Sequence, residues 1–366
     1  MKIWCLLRDQ HSHVKPVETT LDAEFYYDEE WNPVMLTRQH PDLVLCVNDY
    51  HYDVVRCLDA AREAGIPSLS LQDGILEWRC QYENPLFGAG GGAAQHQPVM
   101  ADKIACIGHQ SARQITAWGN AGKVEVTGMP RLDHLLRRTP VPIRRPGSRI
   151  LVMTAKNPGF TPEQRAVTLQ SLRDIKESVD ATLLWRVSGN VARELRVENR
   201  MNEISSLELA EVVEQVDAVI TTPSTAMLEV MRLGRPVAAL DYHNVPRFVP
   251  TAWTISARDH IAQVAAELLN PPATKMAFQR DCLADCLCEG IAADRVALLI
   301  QQMINSEIPA RPNGTPPQLG ELYANASVYR ETDVLALQAR LARAESENSR
   351  LKAQPLPSRI RQWIGV

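Results

Sequence analysis

The chain has 366 residues, of which 45% are hydrophobic and 22% are charged, with a formal net charge of -4 at pH 7. This composition is ordinary for a globular protein of two domains, and the small net charge gives no indication of a nucleic-acid partner. No apolar run approaches the roughly 18–20 residues needed to cross a bilayer, and the N-terminal apolar stretch is too short for a signal peptide, which predicts a cytoplasmic protein.

The first part of the chain alternates short apolar runs with segments of helical periodicity. The apolar runs are residues 3–7, 42–47, 66–71, 104–107 and 124–126, and the helical segments are residues 53–64 and 110–118. Strands that alternate with helices through short connections form parallel sheets with right-handed crossovers. We therefore predict a Rossmann-like α/β domain over residues 1–140.

A proline-rich segment at residues 139–148 marks a domain boundary, after which the same alternation begins again. The predicted strands are residues 149–154, 181–186, 218–221 and 236–241, and the predicted helices are residues 206–215, 224–233 and one that begins at Pro162 with Thr161 as its N-cap. Residues 146–310 are thus predicted to form a second Rossmann-like domain. Because ligands bind at the carboxyl ends of such strands, two facing domains predict one shared cleft.

The C-terminal part of the chain is predicted to lie outside both domains. Residues 311–330 are rich in proline and glycine and are predicted to be a linker, and residues 331–366 are predicted to be a helical tail. Apolar residues recur at heptad spacing over 334–351, interrupted by Asn348, which indicates self-association through a coiled coil or a helix that packs back on the body. Residues 357–364 combine arginines with Ile and Trp, which suits an anionic membrane surface or a frayed tail.

The eight cysteines do not indicate a metal site. Cys282, Cys286 and Cys288 form a C-x3-C-x-C cluster without the second pair of ligands that structural zinc sites require. We expect these thiols to be reduced in the cytoplasm.

A strand followed by small hydroxyl residues is the strongest chemical signal in the second domain. Residues 218–221 lead into Thr222, Ser224 and Thr225, which begin a predicted helix. Free backbone N–H groups at such a point favour a phosphate or pyrophosphate group. Glu229 follows one turn later and can reach a ribose hydroxyl. The alternative is that Ser224 only caps the helix.

A carboxylate at a strand end is the strongest signal in the first domain. The strand at residues 66–71 runs into Gln72-Asp73-Gly74, which places Asp73 where it can accept a proton from an attacking hydroxyl. The alternative is an ordinary Asp-Gly turn. Glu77 is a second candidate carboxylate for the same role.

Three further groups of residues complete the candidate site. Lys156 and Asn157 follow one predicted strand of the second domain and Arg186 ends another, so that each can neutralise a departing phosphate. Asp241 ends a further strand and is a candidate nucleophile for a reaction that retains anomeric configuration, or simply holds its loop. Glu83 and Asn84 begin a glycine-rich segment that is either an acceptor-side loop or a plain surface loop, and that lacks the phosphate-loop pattern.

Residues 217–241 resemble the C-terminal domain of GT-B glycosyltransferases, and residues 124–133, VEVTGMPRLD, look like the segment that closes their N-terminal domain. The resemblance covers about residues 100–245. It implies that Ser224 and Thr225 hold the donor phosphate, that Glu229 contacts the ribose, and that Gly128 and Arg131 lie at the cleft. The similarity extends to branches that act on surface polysaccharides, to CDP-glycerol-polymerase-like proteins and to sugar-epimerase-like proteins.

The segment Gln72-Asp73-Gly74 resembles the acidic-acidic-glycine motif of bacterial GT-B sialyltransferases, although Gln72 departs from it. The resemblance implies a metal-independent glycosyltransferase without a cofactor, which moves a sugar from CMP-Kdo or another CMP-linked acidic donor to a lipopolysaccharide or capsule glycan. The His-Pro usual in CMP-sugar enzymes is replaced here by residues 187–190, VSGN. The alternatives are a UDP-sugar glycosyltransferase, a nucleotide-sugar 2-epimerase, a glycerophosphotransferase and a scaffold of a polysaccharide-assembly complex.

Overall fold

A computed structural model describes residues 1–7, 10–27, 31–84, 95–138, 149–156, 159–198, 204 and 206–306, all of which belong to one compact unit. The predicted boundary at 139–148, most of the glycine-rich segment, Asn157, the linker and the helical tail lie outside the described residues. Self-association through 334–351 and membrane contact through 357–364 therefore stay predictions.

The first sheet has the strand order β2-β1-β3-β4-β5-β6, and all its neighbouring strands run parallel. Its strands are β1 (Lys2–Leu6), β2 (Glu24–Tyr27), β3 (Leu43–Val47), β4 (Ser68–Leu71), β5 (Lys103–Cys106) and β6 (Val124–Val126). The helices that connect them are α1 (His11–Thr20), α2 (Val34–Gln39), α3 (Tyr52–Glu63), α4 (Trp78–Tyr82) and α5 (His109–Ala117), followed by a 3₁₀ helix at Pro130–Arg137. Every residue of β3 is buried, as expected for a parallel strand covered on both faces.

The second sheet is also parallel and has the strand order β11-β10-β9-β7-β8. Its strands are β7 (Arg149–Met153), β8 (Thr182–Arg186), β9 (Ala218–Thr221), β10 (Val237–Leu240) and β11 (Trp253–Ile255). The remaining helices are α6 (Pro162–Ser178), α7 (Gly189–Leu195), α8 (Leu209–Glu214), α9 (Ala226–Arg232), α10 (Ile261–Leu269), α11 (Ala273–Cys286) and α12 (Ala292–Ile304). Helix α6 begins as predicted, because Thr161 Oγ1 accepts a hydrogen bond from the backbone N–H of Gln164 at 3.3 Å.

The final described helix, α12, packs on the first sheet, although it lies within the range 146–310 that the sequence predicted for the second domain. Val296, Ile300 and Met303 share a core cluster with Leu45 of β3 and Leu69 of β4. Their spacing creates one apolar face, which is buried by covering the first sheet. The carboxylate of Asp133 accepts hydrogen bonds from the first two backbone N–H groups of α12 at 2.9 and 2.8 Å, which fixes where the helix begins.

Two further features of the described part of the chain concern membranes and metals. No helix there is long and apolar enough to cross a membrane. No group of three or more His, Cys, Asp or Glu side chains in those same ranges is placed to hold a metal ion. Cys282 and Cys286 are instead buried in the packing of α11.

The packing of α12 predicts the effect of two substitutions on that helix. Ile300 is fully buried, whereas Leu298 is 53% exposed. We expect Ile300→Ala to lower the free energy of unfolding by about 2–5 kcal/mol, because it leaves a cavity beneath the first sheet. Leu298→Ala is the matched control and should change it by no more than about 0.5 kcal/mol in urea-induced unfolding. Equal effects of the two substitutions would contradict this packing.

Candidate functional site

The segment that follows β4 and the loop that follows β9 are in direct contact. The backbone N–H of Ile75 donates a hydrogen bond to Thr225 Oγ1 at 3.1 Å. Gly74 approaches the same side chain so closely that a Cβ atom there would lie 2.5 Å from Thr225 Oγ1. The predicted base segment and the predicted phosphate loop, which belong to different sheets, therefore form one site.

The carboxylate of Asp73 lies between two glutamine amides. Gln10 Nε2 lies 3.4 Å from Asp73 Oδ2, and Gln95 Nε2 lies 3.4 Å from Asp73 Oδ1. The Gln95 side chain is itself buried, and it bonds Asn48 Oδ1 at 3.3 Å and accepts a hydrogen bond from Gln81 Nε2 at 3.2 Å. These contacts orient a half-buried carboxylate at the strand end where a general base was predicted.

A histidine and an ion pair lie beside Asp73. Burial and the nearby charge of Arg131 together lower the pKa of His13 on α1 to about 4, although Asp73 acts in the opposite direction. Arg131 Nη1 in turn lies 3.3 Å from Glu229 Oε1 on α9. The predicted cleft residue and the predicted ribose ligand are therefore paired with each other.

The hydroxyl groups of the loop after β9 have different roles. Thr222 Oγ1 accepts a hydrogen bond from the backbone N–H of Ala155 at 2.8 Å, which ties the end of β9 to the end of β7. Thr225 is the N-cap residue of α9, and its side chain makes no capping hydrogen bond. Ser224 Oγ is buried and has no hydrogen-bond partner among the described residues. Ser224 therefore does not cap the helix, contrary to the alternative drawn from the sequence, and its role at the donor stays a prediction.

A second group of charges links the segment after β4 to the end of β10. Glu77 Oε1 accepts a hydrogen bond from Arg79 Nε at 2.8 Å, and Glu77 Oε2 accepts one from the backbone N–H of Cys80 at 2.8 Å. Both oxygens of Glu77 are thus occupied, so that this carboxylate caps α4 and fixes Arg79 in place. Glu77 as a second base stays a prediction.

Asp241 is 4% exposed and follows β10. Burial raises the pKa of Asp241, while Arg79, Arg247 and hydrogen bonds from the backbone N–H groups of His243 and Asn244 act in the opposite direction. Its Oδ1 atom has no hydrogen-bond partner in the described part of the chain. Asp241 therefore holds its loop and also keeps one acceptor oxygen unused.

The remaining predicted site residues make contacts outside these two groups of side chains. Lys156 is exposed just after β7, and Arg186 Nη1 donates a hydrogen bond to the Leu207 carbonyl at 2.9 Å, which holds a neighbouring loop. Glu83 accepts a hydrogen bond from Gln164 Nε2 of α6 at 2.7 Å. Asn84 is buried, and Gly128 lies under α12, where a Cβ atom would be 2.9 Å from Arg295 Nη2. The roles predicted for these residues at the donor or acceptor stay predictions.

Four site residues were absent from the sequence-based prediction. Gln10 and His13 follow the end of β1, so the rule that strand ends carry the site would have included them. Arg79 lies eight residues after β4, too far along the chain for the same rule. Gln95 comes after the glycine-rich segment, and no local pattern indicates that its amide reaches Asp73.

The burial of His13 predicts a dependence of stability on pH. An unfolded histidine binds a proton below about pH 6.5, whereas folded His13 does so only near pH 4. The free energy of unfolding should therefore fall as the pH falls from about 6.5 to about 4, with a contribution from His13 on the order of 3 kcal/mol. His13→Gln should make this part of a urea-unfolding series measured across pH less steep, and the remaining slope includes His243, whose pKa burial also lowers to about 4.

The matched control for that series is His11→Gln, because His11 lies on the same helix and is exposed. It should keep the pH dependence of the wild-type protein. If His13→Gln and His11→Gln gave the same profile, burial of a neutral His13 would be ruled out.

The close approach of Gly74 to Thr225 predicts coupling between the two positions. In Gly74→Ala the new methyl group forces Thr225 to rotate, which breaks the hydrogen bond from Ile75 and should reduce stability by roughly 1 kcal/mol or more. In a Thr225→Ala background the same change should have little further effect. Thermal unfolding of the single and double variants measures this. Gly189→Ala is the control, because a Cβ atom there meets nothing within 4 Å, and additive effects at positions 74 and 225 would argue against the contact.

Comparison with known proteins gives structural matches only. No protein-family model matches the chain, and no curated protein matches it. The structure of S. aureus MnaA with UDP superposes with a TM-score of 0.59 at 14% identity, over 85% of this chain and 100% of that one. UDP-GlcNAc 2-epimerase of Methanocaldococcus jannaschii with UDP-GlcNAc and UDP superposes with a TM-score of 0.56 at 10% identity, over 82% and 99%.

A variant of the wall teichoic acid polymerase TagF superposes with a TM-score of 0.54 at 13% identity, over 84% of this chain and 89% of that one. Identities this low establish the fold and nothing finer. The two parallel sheets and these superpositions together confirm the prediction of two Rossmann-like sheets, and the chain has the GT-B fold.

Proposed function

We propose that this protein is a glycosyltransferase that moves a sugar from a nucleotide donor to an acceptor hydroxyl. The observation that carries the proposal is the contact between the Asp73 segment and the loop of Ser224 and Thr225. It brings a carboxylate suited to proton abstraction next to a loop with an unused hydroxyl. A transferase needs a base for the acceptor hydroxyl and a binding site for the donor phosphate next to each other.

In the proposed reaction Asp73 accepts the proton of the acceptor hydroxyl as its oxygen forms a bond to the anomeric carbon. The bond between that carbon and the donor phosphate breaks, and its electron pair leaves with the phosphate. Ser224 and Lys156 stabilise the negative charge that develops on the leaving phosphate. When the donor ribose binds Glu229 in place of Arg131, the Arg131 guanidinium is released and also stabilises that charge. No metal ion or cofactor is required in this proposal.

The identity of the donor is the finer part of the proposal. CMP-Kdo or another CMP-linked acidic sugar was the expectation from the sequence, with a lipopolysaccharide or capsule glycan as the acceptor. Several of the similar structures were solved with UDP, UDP-GlcNAc or, for TagF, CDPG, so uridine and cytidine diphosphates belong beside CMP in any binding test.

A nucleotide-sugar 2-epimerase is the second candidate, because several of the superposed structures bear that name and match over more than 80% of this chain. An epimerase converts its nucleotide sugar with no acceptor present, whereas a transferase does not. Incubation of the protein with UDP-GlcNAc alone, followed by chromatography of the nucleotide sugars, distinguishes the two activities.

The proposed role of Asp73 predicts that binding and turnover can be separated. At about 100 times its dissociation constant, a nucleotide from the panel CMP, CDP, UDP and GDP should stabilise the wild-type protein by roughly 2.7 kcal/mol in thermal unfolding. Asp73→Asn should keep this stabilisation, while transfer from the corresponding nucleotide sugar falls by about 10²–10⁴.

Asp59→Asn serves as the control, because Asp59 lies on α3 in a partly exposed ion pair with Arg62. It should change neither property. The transferase proposal would give way to the scaffold alternative on two results together. No nucleotide would stabilise the wild-type protein, and replacement of Asp73 or Ser224 would leave the measured rate of sugar transfer unchanged.

A further inference from the structure

Three glutamine side chains form a chain of amide contacts that ends on Asp73. Gln97 Nε2 lies 3.5 Å from Gln81 Oε1, and Gln81 Nε2 lies 3.2 Å from Gln95 Oε1. The last contact joins Gln95 Nε2 to Asp73 Oδ1 at 3.4 Å. The N–H end of each amide therefore points along the chain towards the proposed base.

The loop after β3 provides a second acceptor for Gln95. In the first sheet β3 pairs with β4, and Val47 lies opposite Leu71, so the loops that follow the two strands are neighbours. Asn48 belongs to the first of these loops, and its Oδ1 atom lies 3.3 Å from Gln95 Nε2. The two N–H bonds of the Gln95 amide therefore have different acceptors, one on Asn48 and one on Asp73.

These contacts determine which end of the Gln95 amide faces Asp73. An ionised carboxylate offers only acceptor oxygens, so a Gln95 amide turned end for end would place two oxygen atoms against each other. The same rotation would bring its oxygen to Asn48 Oδ1 and its nitrogen to Gln81 Nε2, and neither pair can form a hydrogen bond. The observed orientation is the one that satisfies all three neighbours.

Burial makes these contacts necessary. Gln81 and Gln95 are 1% and 7% exposed, and Asn48 is 8% exposed. Solvent water has little access to such positions, and an amide left unpaired in the interior is unfavourable. A change in one of these side chains should therefore be transmitted to its neighbour rather than compensated by solvent.

The main chain that carries Gln95 is also fixed. Asn120 Nδ2 donates a hydrogen bond to the carbonyl of His96 at 2.9 Å, and the Asp49 carboxylate accepts one from the backbone N–H of Met100 at 2.7 Å. Asn120 and Asp49 are themselves buried. Gln95 is therefore preorganised, as a residue that orients a catalytic group must be.

We propose that Gln95 is the positioning residue of Asp73, and that Asn48 and Gln81 act through it by fixing the orientation of its amide. Gln95 holds Asp73 Oδ1, while Gln10 lies at Oδ2. These two contacts use one lone-pair site on each oxygen, of about four in a carboxylate, so the acceptor hydroxyl can still reach the base. The assignment rests on the proposed function, in which Asp73 is the base.

The experiment observes the Asp73 carboxylate directly by NMR at pH 7. The protein is labelled with ¹³C at the aspartate side-chain carboxyl carbon, and the Asp73 signal is the one that is missing from the spectrum of Asp73→Asn. Gln95→Ala and Asn48→Gly should both shift this signal, because each disturbs the N–H group that contacts Asp73 Oδ1. The double variant should shift it no further than Gln95→Ala alone, because Asn48 acts through Gln95.

Asn244→Gly is the matched control. Asn48 and Asn244 have positive φ angles of 68° and 53°, which glycine adopts without strain, so both substitutions remove an amide side chain from a left-handed backbone. Asn244 follows β10, and its substitution should leave the Asp73 signal in place. Gln95→Glu keeps the size of the side chain and replaces the N–H end by an oxygen, so it provides the same test if Gln95→Ala does not fold.

The positioning role also predicts a kinetic effect. With the nucleotide sugar whose nucleotide stabilises the wild-type protein, Gln95→Ala should lower kcat for transfer by up to about 10². Nucleotide affinity should stay unchanged, because the substitution displaces the base and not the donor.

An Asp73 signal that stays in place in Gln95→Ala would overturn the assignment. An effect of Asn48→Gly that persists in the Gln95→Ala background would do the same for Asn48, and an unchanged kcat despite a shifted signal would overturn the role in catalysis. Transfer by Asp73→Asn at the wild-type rate would instead overturn the proposed function, and the NMR shifts would still show whether Gln95 holds Asp73.

Discussion

The hydrogen bond from the Ile75 backbone to Thr225 Oγ1 joins the end of β4 to the loop after β9, and the candidate site is organised around that contact. In an open parallel sheet, ligands bind outside the carboxyl ends of the strands, so the functional side chains lie in the loops at that edge. Two such edges become one site only if they are held together. Gly74 allows this close approach, since any side chain at that position would meet Thr225.

The charged residues on either side of this contact depend on one another. Arg131 pairs with Glu229, and Arg79 pairs with Glu77 while it influences Asp241 and His243. A buried charge is tolerated only with a partner, because its desolvation is otherwise too unfavourable. Arg131 and Glu229 come from distant segments, and Arg79, held by its near neighbour Glu77, acts on Asp241 after β10, so the site is electrostatically complete only in the folded unit. Burial away from water also lowers the pKa of both His13 and His243 and so keeps them neutral beside these charges.

The chain returns from the second sheet to the first in α12, and the packing of this helix also helps to hold the site together. Helix α12 covers the first sheet with Val296, Ile300 and Met303, and the Asp133 carboxylate holds its first turn. Asp133 belongs to the 3₁₀ helix that also carries Arg131. The position of the Arg131 guanidinium opposite Glu229 is therefore coupled to how α12 packs.

The amino-acid sequence by itself determined nine of the eleven described strands, all but β2 and β11, together with the parallel character of both sheets and the residues at several strand ends. The buried runs at β1, β3, β7 and β9 are local apolar patterns, and Asp73, Ser224 and Asp241 follow directly from where such runs end. The tertiary structure alone decided that Gln10 and Gln95 hold Asp73, that Arg131 meets Glu229, that Glu77 is occupied by Arg79 and Cys80, and that α12 covers the first sheet. Periodicity reports which face of an element is buried, and it carries no information about which distant side chain will satisfy a polar atom once that face is covered.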